Sequence, residues 1–182
     1  MKKIVLELSI LAGGLGERLG RDKARVKLDR KTLLAHVRTE ARKTGWPVRV
    51  VRKDAVVRCG PIGGIYTALN RSKADVVIFM ACDMPFVSAS HLKHIANAVT
   101  EKSQAVFTKQ NTYATFPCAI HTTALPKIKE QIASGDFSLQ TLARKLRAKL
   151  VRAKKSELFD IDTPEDLRRS GWYDAKDGSE TG

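Results

Sequence analysis

Hydrophobic runs of strand length alternate along this chain with segments that repeat their apolar residues at helical spacing. Residues 4–11 and 75–81 are two such runs, and the second is apolar enough to be buried on both faces of a sheet. Between them, residues 32–43 place apolar side chains on one face of a helix that Thr32 can cap. This alternation predicts βαβ units. We therefore expect a single doubly wound α/β domain with a mostly parallel sheet, Rossmann-like nucleotide-binding topology and helices on both faces.

The remaining hydrophobic patterns predict the other elements of this domain. A helix capped by Ser88 or Ser90 is expected to reach residue 99. Pro117 falls inside an expected strand, which indicates either a sheet edge or a bulge. The domain is predicted to span residues 1–175, with the polar residues 176–182 as a disordered tail. Further strands are expected over residues 48–51, 105–108, 113–120 and 159–162, and further helices over residues 61–69, 125–132, 139–146 and 164–169.

Composition narrows the class of protein. A length of 182 residues fits one domain, and 43% hydrophobic with 29% charged residues is typical of a soluble globular protein. No apolar run approaches the roughly 20 residues of a membrane span. No small-residue cleavage site follows the two N-terminal lysines, so a cytoplasmic location is expected. Cys59, Cys82 and Cys118 are widely spaced and are expected to be reduced, mostly buried thiols.

The formal net charge of +14 favours polyanionic partners. Basic residues are densest over residues 144–155, which fits either a solvated helix end and loop or a docking surface for an acidic protein or nucleic acid. The other basic residues are scattered, aromatic residues make up only 6% of the chain, and no nucleic-acid-binding motif is present. Nucleic acid is therefore not the partner that we expect.

A glycine-rich and basic loop follows the first expected strand. It holds four glycines at positions 13, 14, 16 and 20, together with Arg18, Arg21 and Lys23. Glycines let backbone N–H groups approach an anion, and the cations can neutralise its charge. The spacing does not match the P-loop. It also does not match the dinucleotide fingerprint Gly-x-Gly-x-x-Gly, because the third glycine comes one residue late. The loop is either a phosphate-binding turn or an ordinary connection from strand to helix.

Two carboxylates are expected at the ends of strands. Asp83 follows the buried strand 75–81, and Pro85 fixes the turn after it, so Asp83 either holds Mg²⁺ against a triphosphate or caps the turn. Asp160 and Asp162 share one face of the expected strand 159–162, and Asp162 is the better candidate for a metal ligand. Glu165 and Asp166 are explained by the first turn of the following helix.

A second glycine-rich turn, residues 59–65, leads into a helix. Its glycines admit a flat ring or a phosphate, or else allow the helix to pack closely on the sheet. Asp54 comes shortly before this turn and either accepts hydrogen bonds from a base or ribose or lies on the surface. The four histidines show no metal-ligand spacing, and His91 and His94 are expected on a solvated helix face.

Five motifs, in this order and approximate spacing, resemble those of the molybdenum cofactor guanylyltransferases over nearly the whole chain. This family has a nucleotide-binding α/β fold and joins GMP from GTP to the phosphate of molybdopterin, releasing pyrophosphate. The resemblance thus implies a Mg²⁺-dependent enzyme with GTP as a substrate. The motifs are Leu11-Ala12-Gly13-Gly14, Arg18-x-Gly20-x-Asp22-Lys23, Gly60-Pro61-Ile62-Gly63-Gly64, Cys82-Asp83-Met84-Pro85 and Asp162-Thr163-Pro164-Glu165-Asp166-Leu167.

The resemblance also implies roles for individual residues. Lys23 would bind the triphosphate with help from Arg18, and Asp83 would ligate Mg²⁺. Asp54 would lie near the nucleotide. The remaining implied contacts, with guanine, the phosphates and the base pocket, involve Leu11, Ala12, Gly13, Gly14, Gly63 and Gly64.

Two departures from the family keep alternatives open. Asp160 and Asp162 stand where the family often has asparagines, an acidic version seen in the related cytidylyltransferases, whereas Gly13 favours guanine. Only about fifteen residues separate Gly45 from Gly60, which is short for the usual strand, helix and strand. The acceptor could be a molybdenum or tungsten pterin, a corrin or another phosphorylated cofactor precursor. The alternative from another class is a catalytically inactive nucleotide-fold protein that binds through its basic surface.

Overall fold

The computed structural model describes residues 4–13, 23–53, 55, 59–100 and 103–177, and these form an α/β fold. The strands are β1 (Leu6–Leu11), β2 (Lys27–Leu28), β3 (Lys31–Thr32), β4 (Val48–Val51), β5 (Val76–Ala81), β6 (Ala105–Gln110), β7 (Tyr113–His121) and β8 (Lys149–Arg152). The α-helices are α1 (Leu33–Arg42), α2 (Gly60–Arg71), α3 (Ala89–Asn97), α4 (Leu125–Ala133), α5 (Leu139–Lys145) and α6 (Pro164–Asp177).

Six of these strands form one sheet in the order β4-β1-β5-β7-β6-β8. β1 pairs in parallel with β4 and β5, β6 pairs in parallel with β8, and β7 runs antiparallel to both of its neighbours. Five of the six strands therefore point in one direction, which confirms the predicted mostly parallel sheet. The two-residue strands β2 and β3 form a separate antiparallel pair that the hydrophobic pattern did not predict.

Helices cover the sheet as the topology requires. The chain leaves β1 through α1 to reach β4 and then returns through α2 to reach β5 on the other side of β1. Right-handed crossovers in opposite directions place these two helices on opposite faces of the sheet. In agreement with this, α1 packs against α3, whereas α2 packs against α4.

The main core lies around the central strands. Leu8, Ile10 and Phe79 are fully buried, as is most of β5. All three cysteines are buried and none forms a disulfide, as the sequence predicted. Complete burial in β7 raises the pKa of the Cys118 thiol well above its ordinary value. None of the helices within the described ranges is long and apolar enough to cross a membrane.

Two predicted elements at the end of the chain were wrong. Residues 159–162 do not form a strand. The last strand of the sheet is β8, which pairs with β6 and belongs to the basic segment 144–155. The hydrophobic pattern did not reveal this strand because it has only four residues, in which the charged Lys149 and Arg152 flank Leu150 and Val151. α6 runs past the predicted end at residue 169 and includes the first two residues of the predicted tail, while residues 178–182 lie outside the described part.

Pro117 lies in β7, an interior strand, so the edge interpretation was wrong and the bulge interpretation is confirmed. The pairing of β6 with β7 shifts register between Phe107 and Thr108, opposite the proline. The Thr108 hydroxyl donates a hydrogen bond of 2.7 Å to the Pro117 carbonyl. A proline cannot donate to a strand ladder, and the irregular pairing accommodates this missing donor.

Candidate active site

Three parallel strands end side by side at one edge of the sheet. The backbone N–H of Ala12 donates to the Val51 carbonyl at 2.8 Å, and the N–H of Cys82 donates to the Leu11 carbonyl at 3.0 Å. The ends of β4, β1 and β5 are thereby held in one row. In open α/β sheets, ligands bind at the carboxyl ends of the strands. This edge is the candidate active site.

Two aspartate-bearing segments meet at this edge. The N–H of Ile161 donates a 2.9 Å hydrogen bond to the carbonyl of Asp83, so Asp83 lies beside the segment that carries Asp160 and Asp162. The rings of Phe86 and Phe159 also meet, with centroids 6.2 Å apart and planes inclined by 51°. The loop after β5 and the segment before α6 therefore run antiparallel to each other. The sequence prediction that these aspartates share one edge of the sheet is consistent with this geometry, although residues 159–162 are not a strand.

A second, smaller core lies beneath the two segments. Val26, Leu28, Leu33 and Ile161 are buried in it, and Phe86, Phe159 and Leu167 pack against it. Because Val26 follows the short 3-10 helix Lys23–Arg25, this core also connects the backbone at Lys23 with the aspartate-bearing segments. Three distant parts of the chain are therefore joined by apolar packing at the candidate active site.

The oxygen donors at this edge fit a hard divalent cation. Asp83 and Asp162 are half-buried, and Asp160 is exposed. Within the described residues, no group of three or more histidine, cysteine, aspartate or glutamate side chains is arranged as a complete metal cage. Mg²⁺ does not need one, because it is commonly held by one or two carboxylates together with substrate phosphates and water.

Asp166 has a structural role at the beginning of α6, as the sequence predicted. Its Oδ2 accepts hydrogen bonds from the Thr163 N–H at 2.8 Å, the Thr163 hydroxyl at 2.7 Å and the Asp162 N–H at 3.2 Å. The Asp166 N–H donates in return to Thr163 Oγ1 at 3.1 Å, which completes a capping box. Burial works to raise the pKa of Asp166, but the hydrogen bonds from Thr163 and Asp162 prevail, and the pKa lies below its ordinary value.

The second glycine-rich segment runs into the helix that was expected over residues 61–69, and this helix is confirmed as α2. Gly63 and Gly64 are buried inside it, so the part of the expected turn that overlapped this helix, residues 61–65, is helical. The helix begins at Gly60, whose φ of +53° favours a residue without Cβ. The Gly63 carbonyl accepts a 2.7 Å hydrogen bond from the buried Thr67 hydroxyl, whose oxygen in turn accepts from the Ala55 N–H at 2.8 Å.

The other predicted site residues divide into two groups. Leu11 ends β1 and is half-buried, Ala12 is buried and Gly13 is exposed, so all three border the candidate site. Lys23 begins the 3-10 helix beside α1. Gly14, Arg18 and Asp54 lie outside the described residues, and their predicted roles stay predictions.

One histidine prediction was wrong. His94 is exposed, but His91 is only 6% exposed, and its Nε2 lies 2.9 Å from Thr108 Oγ1. Since the Thr108 hydroxyl donates to Pro117, Nε2 of His91 carries the proton of this contact and donates it. Burial is the main cause that lowers the pKa of His91, and this residue belongs to the packing between α3 and the sheet.

Sequence reasoning missed Glu157 and the pair of Phe86 and Phe159. Glu157 is 5% exposed and lies in the 3-10 helix Ser156–Leu158, just before the second aspartate-bearing segment. Its position directly before the apolar pair Leu158-Phe159 is the signal that could have drawn attention to it.

A mostly parallel, doubly wound sheet with its candidate site at the carboxyl ends of the strands defines a class of α/β proteins that bind their ligands at this edge. Residues 8–152 match the family model described as MobA-like NTP transferase domain. Because this match covers most of the chain, the chain belongs to that family of nucleotidyltransferases.

A relative in sequence agrees with this assignment, and two solved structures share the fold. The chain is 26% identical over 181 residues to the molybdenum cofactor guanylyltransferase of Vibrio campbellii, covering 89% of this chain and 93% of the relative. Its fold is similar to the crystal structure of molybdopterin-guanine dinucleotide biosynthesis protein A from Archaeoglobus fulgidus, with a TM-score of 0.72, 23% identity and coverage of 93% and 99%. It is also similar to 4-diphosphocytidyl-2C-methyl-D-erythritol synthase from Anaerococcus prevotii, with a TM-score of 0.73, 15% identity and coverage of 94% and 99%.

The capping box predicts a pH-dependent loss of stability on Asp166→Ala substitution. A carboxylate whose pKa is depressed in the folded state stabilises the fold above its ordinary pKa, and this stabilisation disappears as the pH falls through the depressed pKa. We expect the variant to lose about 0.5–2 kcal/mol of unfolding free energy at pH 7, and a smaller amount below about pH 4. Urea unfolding at several pH values measures this difference.

The matched control is Glu165→Ala, which removes an exposed carboxylate from the same helical turn. We expect it to change the unfolding free energy by less than about 0.5 kcal/mol. An Asp166→Ala variant that is as stable as the control at pH 7 would contradict the structural role of the capping box.

Proposed function

We propose that this protein is a guanylyltransferase that transfers GMP from GTP to the phosphate of molybdopterin, carrying molybdenum or tungsten, with release of pyrophosphate. The observation that carries the proposal is the meeting of the Asp83 and Asp162 segments beside the end of β1. Two carboxylates beside the end of the strand that leads into the glycine-rich and basic loop suit a nucleoside triphosphate with its divalent cation. Membership of the NTP transferase family and the name of the Vibrio relative support the same substrates.

The proposed reaction needs positioning and charge neutralisation more than a covalent nucleophile. An oxygen of the acceptor phosphate attacks the α-phosphorus of GTP, so a new P–O bond forms. The bond between the α-phosphorus and its bridging oxygen to the β-phosphate breaks, and pyrophosphate leaves with that electron pair. The attacking oxygen is already an anion, so no dedicated base is required.

Asp83 and Asp162 would hold Mg²⁺ in the proposed enzyme. When bound, the ion neutralises negative charge on the triphosphate. Asp83 is fixed by β5 and by its carbonyl bond from Ile161, so its carboxylate is presented on a rigid part of the fold. Lys23 and Arg18 would add positive charge around the phosphates. These cations stabilise the charge that accumulates on the leaving pyrophosphate.

The end of β1 and the beginning of α2 would recognise the base. Leu11, Ala12, Gly13 and Gly14 would line the guanine and phosphate positions, with Gly13 allowing a close approach of the backbone. Gly63 and Gly64 would shape the base pocket from the first turns of α2, because they place no side chain between the helix and the ligand. Asp54 would lie near the nucleotide. A cytidylyltransferase remains the alternative within the same fold, because the Anaerococcus structure is named for a cytidyl product.

Nucleotide binding tests the proposed function directly. We expect isothermal titration calorimetry to show tighter binding of GTP than of CTP, each with Mg²⁺, because the backbone around Gly13 is predicted to suit guanine. Tighter binding of CTP would assign the protein to the cytidylyl alternative. Absence of binding to either nucleotide would contradict both and would favour the inactive binding protein.

Two substitutions test the assigned roles. Lys23→Ala and Asp83→Ala each remove a charge that the proposed reaction uses, and we expect each to lower pyrophosphate release from GTP and molybdopterin at least about a hundredfold. Far-UV circular dichroism should remain that of the wild type. The matched controls are Lys73→Ala and Asp136→Ala, which remove charges elsewhere in the chain. Wild-type turnover in either site variant would overturn its role.

We also propose that the basic segment 144–155 docks an acidic protein that takes up the finished cofactor. The seven arginine and lysine side chains of this segment are all exposed, and the segment holds no acidic residue. It spans the end of α5 and the strand β8, which lies at the end of the sheet. The positive charge would steer an acidic partner toward this edge.

Charge reversal tests this docking. We expect Arg147→Glu combined with Lys149→Glu to weaken binding of an acidic, cofactor-accepting apoprotein at least about tenfold, which corresponds to about 1.4 kcal/mol. Fluorescence anisotropy of the labelled apoprotein at low salt measures the affinity. The control is Lys73→Glu, which alters the net charge by half as much at a distant, exposed position. An equal loss in the control, after correction for net charge, would leave only non-specific attraction and would contradict docking at this segment.

A further inference from the structure

Glu157 is a buried carboxylate that takes no part in the proposed reaction. It is 5% exposed and belongs to the 3-10 helix Ser156–Leu158. Its Oε1 accepts hydrogen bonds from the Ser88 N–H at 3.2 Å and from the Ser88 hydroxyl, and its Oε2 accepts from the Lys154 N–H at 3.1 Å. Burying a carboxylate is costly unless donors replace the lost water, and three donors replace it here.

Only a carboxylate satisfies all three donors. Both of its oxygens accept, whereas a glutamine of the same shape has one accepting oxygen and an NH₂ group that can only donate. In one orientation of the glutamine, its amide oxygen accepts from Ser88 and its NH₂ group faces the Lys154 N–H, so that two donors face each other. In the other orientation, the NH₂ group faces the N–H and the hydroxyl of Ser88, which both donate to Glu157. The site therefore distinguishes a negative charge from a neutral isostere.

The bonds to Ser88 extend the contact between the two aspartate-bearing segments. Glu157 meets Ser88, the ring of Phe159 meets that of Phe86, and the Ile161 N–H meets the Asp83 carbonyl. These three contacts follow each other in antiparallel order, and we call them the clamp. The clamp holds the loop after β5 at both of its ends, so its register sets how Asp83 faces Asp162.

The beginning of α3 has a second support that does not involve Glu157. Ser88 Oγ caps the helix by accepting from the His91 N–H at 3.1 Å. Glu40 Oε2 on α1 accepts independently from the Ala89 N–H at 3.2 Å. The helix therefore keeps a carboxylate partner when Glu157 is changed. The change removes the first of the three contacts of the clamp, between Glu157 and Ser88.

We propose that Glu157 is a positioning residue that sets the placement of Asp83 relative to Asp162 and thereby the affinity of the site for the divalent cation that accompanies the nucleotide. This inference rests on the proposed function, because it takes Asp83 and Asp162 as the metal ligands. Glu157 touches neither substrate nor metal in this account and acts through the clamp alone.

The substitution Glu157→Gln tests the proposal, with Glu130→Gln on the exposed face of α4 as the matched control. Electron paramagnetic resonance of free Mn²⁺, titrated with protein in the presence of GTP, measures cation affinity without requiring turnover. We expect Glu157→Gln to weaken Mn²⁺ binding about tenfold or more, the effect of losing a group that orients metal ligands. GTP binding measured without a divalent cation should be unchanged, which a general loss of structure would not allow.

A second variant keeps the proposal testable if Glu157→Gln does not fold. Ser88→Ala removes the hydroxyl donor from the clamp, and we expect at least about a twofold loss of Mn²⁺ affinity. Its control is Ser138→Ala, which removes the corresponding cap of α5, where Ser138 Oγ accepts from the Thr141 N–H at 3.3 Å, and leaves the clamp intact.

The outcomes separate this inference from the proposed function. If Asp83→Asn abolishes Mn²⁺ binding with GTP while Glu157→Gln binds as tightly as Glu130→Gln, the proposed function stands and the role of Glu157 is wrong. If Ser88→Ala and Ser138→Ala change the affinity equally, the clamp is likewise refuted. A wild-type protein that binds no Mn²⁺ with GTP would overturn both proposals.

Discussion

The hydrogen bond from the Ile161 N–H to the Asp83 carbonyl is the contact on which the candidate active site depends. It joins the loop after the central strand β5 to a segment almost eighty residues later in the chain. Both segments carry aspartates, and like charges resist being brought together unless the fold enforces it. The enforcement comes from the second core, in which Ile161 is fully buried with Phe86 and Phe159 packed around it.

This arrangement explains how a strongly basic chain presents an acidic site. Positive charge is spread over the surface and is densest at the far edge of the sheet, around β8. The aspartates instead lie where parallel strands end, on backbone that is fixed by the sheet and by the second core. Rigid placement matters for nucleotidyl transfer, because the reaction gains most of its rate from positioning and from stabilising charge.

Much of the architecture could be predicted from local patterns. The apolar run over residues 75–81 predicted the buried strand β5, and Thr32 was correctly expected to cap α1, where its hydroxyl oxygen accepts from the Ala35 N–H. The misassigned parts depend on distant contacts. Residues 159–162 looked like a strand, yet the Ile161 N–H bonds to the Asp83 carbonyl in the loop after β5 and not to a strand of the sheet. Where the glycine-rich turn gives way to α2 was also uncertain, because glycine has a low intrinsic helix propensity although Gly63 and Gly64 lie inside the helix.

We propose that Asp83 and Asp162 share one divalent cation with a bound nucleoside triphosphate. Anomalous diffraction from crystals grown with Mn²⁺ and a non-hydrolysable GTP analogue locates the ion itself. We expect one strong anomalous peak at direct coordination distance from both carboxylates and from the phosphates. A peak that is bound to the phosphates and contacts neither aspartate would show that these residues do not hold the ion.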